Sequence, residues 1–228
     1  AANAAIGSAP VAPAVLSGDH AGIASPRETA MSAPATTSDP ARSSHYVTDA
    51  LYAAIVEDFT DWQRDELLVN DLPVRDAARR LVEREARLLD QHRYENWLSL
   101  LSAECIYWIP GTPGAGDPRR EIAVMFDDRR RLEDRIYRLR TGYAWSQAPI
   151  SRTVRFVTNV EVFSTSVPDR HMVRCNVLIP EFWGDETRIL SGWCGYKLAG
   201  RPGEWRIEAK QVNLIDCDQS IRNLSIIL

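Results

Sequence analysis

The stretch that decides the fold runs from Asp127 to Val162 and reads DDRRRLEDRIYRLRTGYAWSQAPISRTVRFVTNVEV. In its first part apolar residues recur at three- and four-residue spacing, which predicts a charged helix with one apolar stripe. Gly142 follows the basic end of this segment and predicts the end of the helix. A loop with an aromatic pair, Tyr143 and Trp145, comes next, and the alternation of apolar and polar residues beyond it predicts a half-buried strand.

This alternation also predicts which side chains of the strand face the core, because successive residues of a strand point to opposite faces. The residues expected on the core side are Val154, Phe156, Val160 and Val162. Those expected toward solvent are Arg155, Asn159 and Glu161.

The elements around this stretch predict an α+β fold. Helical spacing of apolar residues precedes it, and segments rich in β-branched and aromatic residues follow it, separated by Gly/Pro/Asp turn signals. The predicted helices cover residues 45–59, 71–91 and 94–101, and the other predicted strands cover residues 106–109, 121–126, 171–183, 187–198 and 204–215. Helices followed by consecutive strands favour a curled, mostly antiparallel sheet with the N-terminal helices on one face.

Composition divides the chain into a tail and one domain. Residues 1–44 consist mostly of Ala, Pro, Ser, Thr and Gly, which bury too little apolar surface to offset the entropy of ordering, so a disordered tail is predicted there. Residues 45–228 are expected to form a single domain. Met31 is a candidate start of translation within the tail.

Charge and motifs argue against several functions. The formal net charge of −4 provides no basic field for nucleic acid. No apolar run approaches the roughly 20 residues of a membrane span, and no nucleotide-binding or zinc-protease motif is present. The four cysteines are far apart and without ligand-like spacing, which favours reduced thiols in a cytoplasmic protein.

Three groups of motifs resemble the small (β) subunit of aromatic-ring-hydroxylating, Rieske-type dioxygenases, and together they cover roughly residues 78–228. The first group lies in the deciding stretch: Arg140-Thr141-Gly142, Ala144-Trp145, Pro149, Ser151-Arg152 and Asn159-Val160. The second runs from Glu85-Ala86-Arg87-Leu88-Leu89-Asp90 through Trp97, Leu98 and Leu101 to Tyr107-Trp108-Ile109-Pro110. The third is Val212-Asn213-Leu214-Ile215 followed by Arg222-Asn223-Leu224-Ser225.

The resemblance implies a cone-shaped fold of the ketosteroid isomerase and nuclear transport factor type, and an assembly role without a catalytic, cofactor or metal site in this chain. It implies a large α subunit that carries the Rieske [2Fe–2S] cluster and a mononuclear iron in an α3β3 hexamer. A reductase, with or without a ferredoxin, would supply electrons for the breakdown of aromatic compounds.

The residues themselves also argue against oxygenase chemistry in this chain. A Rieske cluster takes two Cys and two His, and the iron takes two His and a carboxylate. The sequence has four His in all, of which His20 and His45 lie in or beside the predicted tail. One chain with this content cannot supply both sites.

Five residues are expected at the subunit interface, because aromatic side chains and arginines are enriched there. They are Arg140, Tyr143, Trp145, Arg152 and Arg222. The alternative for the aromatic residues is an ordinary place in the core. Arg140 and Arg152 are expected to form buried or interfacial ion pairs, and the apolar end 226–228 is expected to pack on the sheet or on a neighbouring subunit.

A rival hypothesis gives the cone its own active site, as in an isomerase or dehydratase. Asp90, His92, Glu85 and Tyr107 would then form an acid–base set, since His titrates near neutral pH. The plainer alternatives are an ion pair of Glu85 with an arginine, a cap or surface ion pair for Asp90, and a helix-end position for His92 that favours its charged form. A non-catalytic cone that binds a small ligand is a third hypothesis.

Overall fold

The computed structural model describes residues 45–221 and 226–228, and within these ranges it contains four α-helices and one sheet of seven strands. The helices are α1 (Asp49–Asp58), α2 (Leu72–Asp90), α3 (Tyr94–Leu98) and α4 (Arg129–Thr141). The strands are β1 (Leu101–Pro110), β2 (Ala123–Asp128), β3 (Arg152–Thr153), β4 (Phe156–Ser164), β5 (Arg170–Trp183), β6 (Glu186–Ala199) and β7 (Arg206–Leu214). The tail predicted over residues 1–44 lies outside the described residues.

The long helices lie close to their predicted positions, although α1 begins at Asp49 and not at residue 45. Thr48, Asp71 and Asp128 each stand before a helix, and each side chain accepts a hydrogen bond from the main-chain N–H three residues later. Gly142 ends α4 in the left-handed conformation, at φ 77°. No helix in the described part of the chain is both long and apolar enough to cross a membrane.

The sheet has the strand order β2-β1-β7-β6-β5-β3, and β4 also pairs with β5. All pairs are antiparallel except β1 with β7, which is parallel. This architecture confirms the predicted α+β class with a curled, mostly antiparallel sheet. Strands β4 through β7 form a run of consecutive antiparallel pairs, and β1 adds to β7 in parallel.

The helices cover the sheet on both faces, which differs in detail from the expected single helical face. The buried side of α2 packs with Tyr107 and Ile109 of β1 in the main core. In contrast, Ile55 of α1 packs with Ile106 and Trp108 on the opposite face. Both faces are covered because the second half of β1 carries apolar side chains on each face, and each set is buried against a helix.

The side-chain directions predicted for the start of β4 are reversed. Val154 and Phe156 are 55% and 52% exposed, whereas the side chain of Arg155 is only 4% exposed. The cause is a shift of register between residues 158 and 161, where Asn159 takes the left-handed conformation at φ 52°. Such a bulge inserts one residue. Even-numbered residues such as Val162 therefore point into the core after the bulge, whereas odd-numbered residues such as Arg155 point inward before it.

Candidate functional site

Glu85 anchors a polar cluster inside the core. It lies on the buried face of α2 and is 2% exposed. Its Oε1 accepts a hydrogen bond from the indole of Trp97 at 3.0 Å, and its Oε2 accepts from the hydroxyl of Tyr196 at 2.8 Å and from Nζ of Lys210 at 3.0 Å. The predicted ion pair therefore exists, but the partner is a lysine rather than an arginine.

The protons in this cluster are fixed by its electrostatics. Burial, the largest single effect, lowers the pKa of Lys210. The negative charge of the Glu85 carboxylate raises it, and together with smaller contributions from neighbouring groups this effect exceeds that of burial, so the net pKa is raised. Burial is also the main cause of the raised pKa values of Tyr107 and Tyr196. At neutral pH the lysine is therefore an ammonium, and both tyrosines are neutral phenols. Neither tyrosine can act as a base under these conditions.

The C-terminal residues close over this cluster. Nζ of Lys210 donates a hydrogen bond to the main-chain oxygen of Leu228 at 2.8 Å, and the hydroxyl of Tyr107 donates to the same oxygen. Ile226, Ile227 and Leu228 are themselves buried in the core, as expected from their apolar character. Glu85 and Tyr107 are thus held among structural partners, with Tyr107 fully buried.

Asp90 belongs to a second cluster at the end of α2. Its carboxylate accepts hydrogen bonds from the hydroxyl of Thr153 at 2.8 Å and from the main-chain N–H of Arg155 at 2.9 Å. It also forms a salt bridge with the Arg155 guanidinium, which donates in turn to the main-chain oxygen of Ile227. Asp90 therefore fastens the start of the β4 segment and the C-terminal residues to the helix.

His92 lies just beyond the same helix end, in the left-handed conformation at φ 53°. Its Nδ1 is 3.0 Å from the hydroxyl of Tyr94. The helix-end position was expected to favour the charged form, but the pKa of His92 is lowered, chiefly by burial and then by the positive charge of Arg155. The imidazole is therefore neutral at pH 7.

The four residues of the rival acid–base set thus lie in three separate hydrogen-bonded groups. Glu85 and Tyr107 share Lys210 and Leu228, whereas Asp90 is joined to Arg155 and His92 to Tyr94. The sequence reasoning missed Lys210, Tyr196 and Arg155. The sequence did contain a signal for Lys210: it lies two and four residues before Val212 and Leu214, so all three side chains share the core side of β7.

The described residues do not fit a metal centre of the kind that oxygenase chemistry needs. Within residues 45–221 and 226–228, no three His, Cys, Asp or Glu side chains lie where they could hold a metal ion together. All four cysteines are free and buried, and Cys175 and Cys194 lie opposite each other on β5 and β6. All four pack in the main core cluster, where a free thiol takes the place of a small apolar side chain.

A groove of about 510 Å³ lies between α2 and the start of β7. Its floor is apolar, with Leu81, Leu100 and Trp205, and its rim includes Arg84 and Arg206. None of the four residues of the acid–base hypothesis lines this groove.

The most exposed large aromatic side chains lie on the loop between α4 and β3, residues 143–150, which we call the aromatic loop. Trp145 is 84% exposed, and Tyr143 and Ile150 are also exposed. The alternative that these aromatic residues belong to the core is therefore wrong. Trp145 begins a short 3-10 helix, so its exposure occurs on ordered backbone.

Next to this loop the outer side of the sheet is apolar, and we call this surface the apolar face. It consists of Val154, Phe156, Leu178, Phe182 and Ile189, all exposed. Register places these residues together: Phe156 is opposite Leu178, and Ile189 is opposite Pro180, which lies between Leu178 and Phe182 on the same side of β5. Contiguous apolar surface of this kind marks an interaction site.

Of the arginines predicted for the interface, Arg152 lies at this surface. The guanidinium of Arg152 stacks 4.5 Å from the ring centre of Phe182, an edge residue of the apolar face. Arg140 forms an ion pair with Glu95 at 3.2 Å, in which both side chains are largely exposed. Arg222 lies outside the described residues.

Comparison with known proteins adds an independent observation. Residues 84–219 match the protein-family model described as "Ring hydroxylating beta subunit". The chain is 30% identical over 155 residues to the 3-phenylpropionate/cinnamic acid dioxygenase subunit beta of Photorhabdus laumondii, an alignment that covers 63% of this chain and 85% of that relative. It is 37% identical over 84 residues to the 2-halobenzoate 1,2-dioxygenase small subunit of Burkholderia cepacia, covering 35% of this chain and only 51% of that relative's length.

A solved structure shows the same similarity in three dimensions. The beta subunit of the benzoate 1,2-dioxygenase of Burkholderia mallei superposes with a TM-score of 0.54 at 25% sequence identity. The superposition covers 65% of this chain and 94% of that structure. The superposed part of the present chain therefore accounts for nearly all of that structure.

Proposed function

Since this chain belongs to the family of ring-hydroxylating beta subunits, we propose that its own task is to dock the alpha subunit through the aromatic loop and the apolar face. It is the beta subunit of an aromatic-ring-hydroxylating dioxygenase, an oxidoreductase complex in which it is a partner of an alpha subunit. The proposal concerns what this chain contributes to that partnership and which residues do so.

The observation that carries the proposal is the exposure of Trp145 beside a contiguous apolar face. Leaving such a surface in water forgoes about 25 cal/mol for each Å² of apolar area that a partner could bury. Trp and Arg are also the side chains that most often dominate binding energy at interfaces. This surface contains both residue types, Trp145 on the aromatic loop and Arg152 beside Phe182.

We further propose a division of labour in which the alpha subunit supplies all the redox chemistry. The Rieske [2Fe–2S] cluster and the mononuclear iron would lie in that subunit, within an α3β3 hexamer in the cytoplasm. A reductase, with or without a ferredoxin, would deliver electrons from NAD(P)H, and both atoms of O₂ would be added to an aromatic ring. The low His content of this chain and the structural partners of Glu85 and Asp90 support the proposal.

Co-expression of this chain with its alpha subunit tests the division of labour. Light scattering gives the mass of the purified particle, and a ferrozine assay gives its iron content. The proposal predicts that the co-purified particle contains six chains and iron. It also predicts that the beta subunit purified alone contains no iron. A beta subunit that stays separate from the alpha subunit, or that binds iron by itself, contradicts it.

The hypothesis of an acid–base enzyme predicts a different response of turnover to substitution of His92. We expect the assembled dioxygenase carrying His92→Asn to keep the kcat of the unmodified enzyme within about twofold, whereas loss of a positioned acid–base group typically costs about 10²–10⁴-fold. Asn is chosen because it tolerates the left-handed conformation that His92 adopts.

Tyr107→Phe in the same assay is the companion variant, because it removes the hydroxyl but keeps the ring in the core. Initial rates of substrate-dependent O₂ consumption provide the readout, and the particle mass confirms assembly. A hundredfold fall in kcat for either variant in a fully assembled particle would instead support chemistry in the beta subunit.

A further inference from the structure

We infer that Ser151 and Glu181 are positioning residues for subunit docking: they hold the aromatic loop in the shape that presents Trp145 to the alpha subunit. This inference rests on the proposed function, because it names what keeps the docking surface in place. It concerns two buried side chains that do not themselves belong to the exposed surface.

A chain of hydrogen bonds joins the loop to the sheet. Gln147 and Ser151 are bonded twice: the side-chain amide Nε2 of Gln147 donates to the Ser151 hydroxyl at 2.8 Å, and the main-chain N–H of Ser151 donates to the side-chain Oε1 of Gln147 at 3.0 Å. The Ser151 hydroxyl then donates to Oε1 of Glu181 at 2.6 Å. Arg188 donates to Oε2 of the same carboxylate, also at 2.6 Å.

This chain of bonds begins in the same 3-10 helix that carries the exposed Trp145. Gln147 is the last residue of the 3-10 helix that Trp145 begins. Its side chain and that of Ser151 are buried, at 6% and 0% exposure. A second fastening lies beside it, where the indole of Trp183 donates to the main-chain oxygen of Pro149 at 3.0 Å. The loop is therefore tied to the end of β5 at two points.

The buried carboxylate makes this fastening sensitive to substitution. Glu181 is 2% exposed, and a carboxylate removed from water is costly unless hydrogen bonds and an opposite charge compensate. Here Ser151 and Arg188 provide that compensation. An apolar pair would hold a surface loop to the sheet with less directional control, whereas hydrogen bonds fix both the distance and the orientation of the loop.

Order in the free loop matters for docking because a partner that binds a mobile loop must also order it. A loop already fixed around Trp145 avoids that cost. Loss of the Ser151–Glu181 bond should therefore weaken docking through Trp145, although neither side chain is exposed for contact with a partner.

A double-mutant cycle separates positioning from general destabilisation. The affinity of the alpha subunit is measured by biolayer interferometry for the unmodified chain, Ser151→Ala, Trp145→Ala and the double variant. We expect Ser151→Ala alone to weaken binding about tenfold, and the same change in the Trp145→Ala background to weaken it less than about twofold. Hydrogen exchange of the free chain should show faster exchange over residues 143–151 in Ser151→Ala.

Controls make each failure distinguishable. Ser164→Ala removes an exposed hydroxyl that bonds to Leu67 and should change neither affinity nor loop exchange. If Trp145→Ala leaves affinity unchanged, the docking surface itself is wrong. If Trp145→Ala weakens binding but Ser151→Ala does not, or if the two effects simply add, the positioning role is wrong and the docking surface stands.

Discussion

Glu85→Ala is expected to lower the free energy of unfolding by about 3–5 kcal/mol, the cost of leaving a buried charge without its partner. The substitution leaves the ammonium of Lys210 in the core, where its side chain is 4% exposed, and also removes the acceptor of Trp97 and Tyr196. Urea unfolding followed by tryptophan fluorescence measures the loss.

A charge-free double variant and an exposed pair serve as controls. Glu85→Leu combined with Lys210→Met removes both charges and should recover part of the lost stability, since apolar replacement of a buried ion pair is often neutral. Arg140→Ala breaks the exposed pair with Glu95 and should cost only about 0–1 kcal/mol. A loss below 1 kcal/mol for Glu85→Ala would show that the cluster does not hold the core together.

Trp145→Ala is expected to weaken binding of the alpha subunit by about 30-fold or more, since an interface hot spot is worth about 2 kcal/mol or more. The side chain is 84% exposed in the free chain, so its removal should leave the stability of the isolated subunit nearly unchanged. Biolayer interferometry gives the affinity, and thermal unfolding checks the fold.

Ile122→Ala is the matched control for this variant. Ile122 is 82% exposed and precedes β2, which forms the opposite edge of the sheet from β3. Its substitution should leave the affinity unchanged. Equal weakening by both variants would mean that binding does not discriminate between the two edges of the sheet.

The helices could be predicted from the sequence because their signals are local. Asp71, Asp128 and Gly142 mark helix ends through hydrogen bonds and backbone conformation that involve only neighbours within a few residues. The ion pair of Arg129 with Glu133, at 2.7 Å, is local in the same sense, because the two residues are four positions apart on one helix.

The start of β4 could not be predicted correctly, because alternation alone cannot reveal a bulge. Asn159 tolerates the left-handed conformation, but it is equally compatible with an ordinary strand. One inserted residue exchanged the directions of Arg155 and Phe156. As a result, Phe156 became part of the apolar face, and Arg155 became the partner of Asp90.

The core cluster could be predicted only in part for a different reason. Glu85 was predicted to form an ion pair with an arginine, but its partner is Lys210, 125 residues away along the chain. Which cation reaches it depends on the curl of the sheet and on the order of its strands. No local pattern contains that information. The exposure of Trp145 likewise depends on tertiary packing, because it is set by which other segments of the chain pack against the aromatic loop.

Hydrogen exchange of the full chain with and without the alpha subunit tests the central claim most directly. The claim predicts protection over residues 143–156 and 178–189, which contain the aromatic loop and the apolar face. Residues 49–58, which pack against Ile106 and Trp108 of β1, and residues 123–128, at the other edge of the sheet, should exchange at unchanged rates. Protection confined to these latter segments, with the aromatic loop unaffected, would contradict the claim.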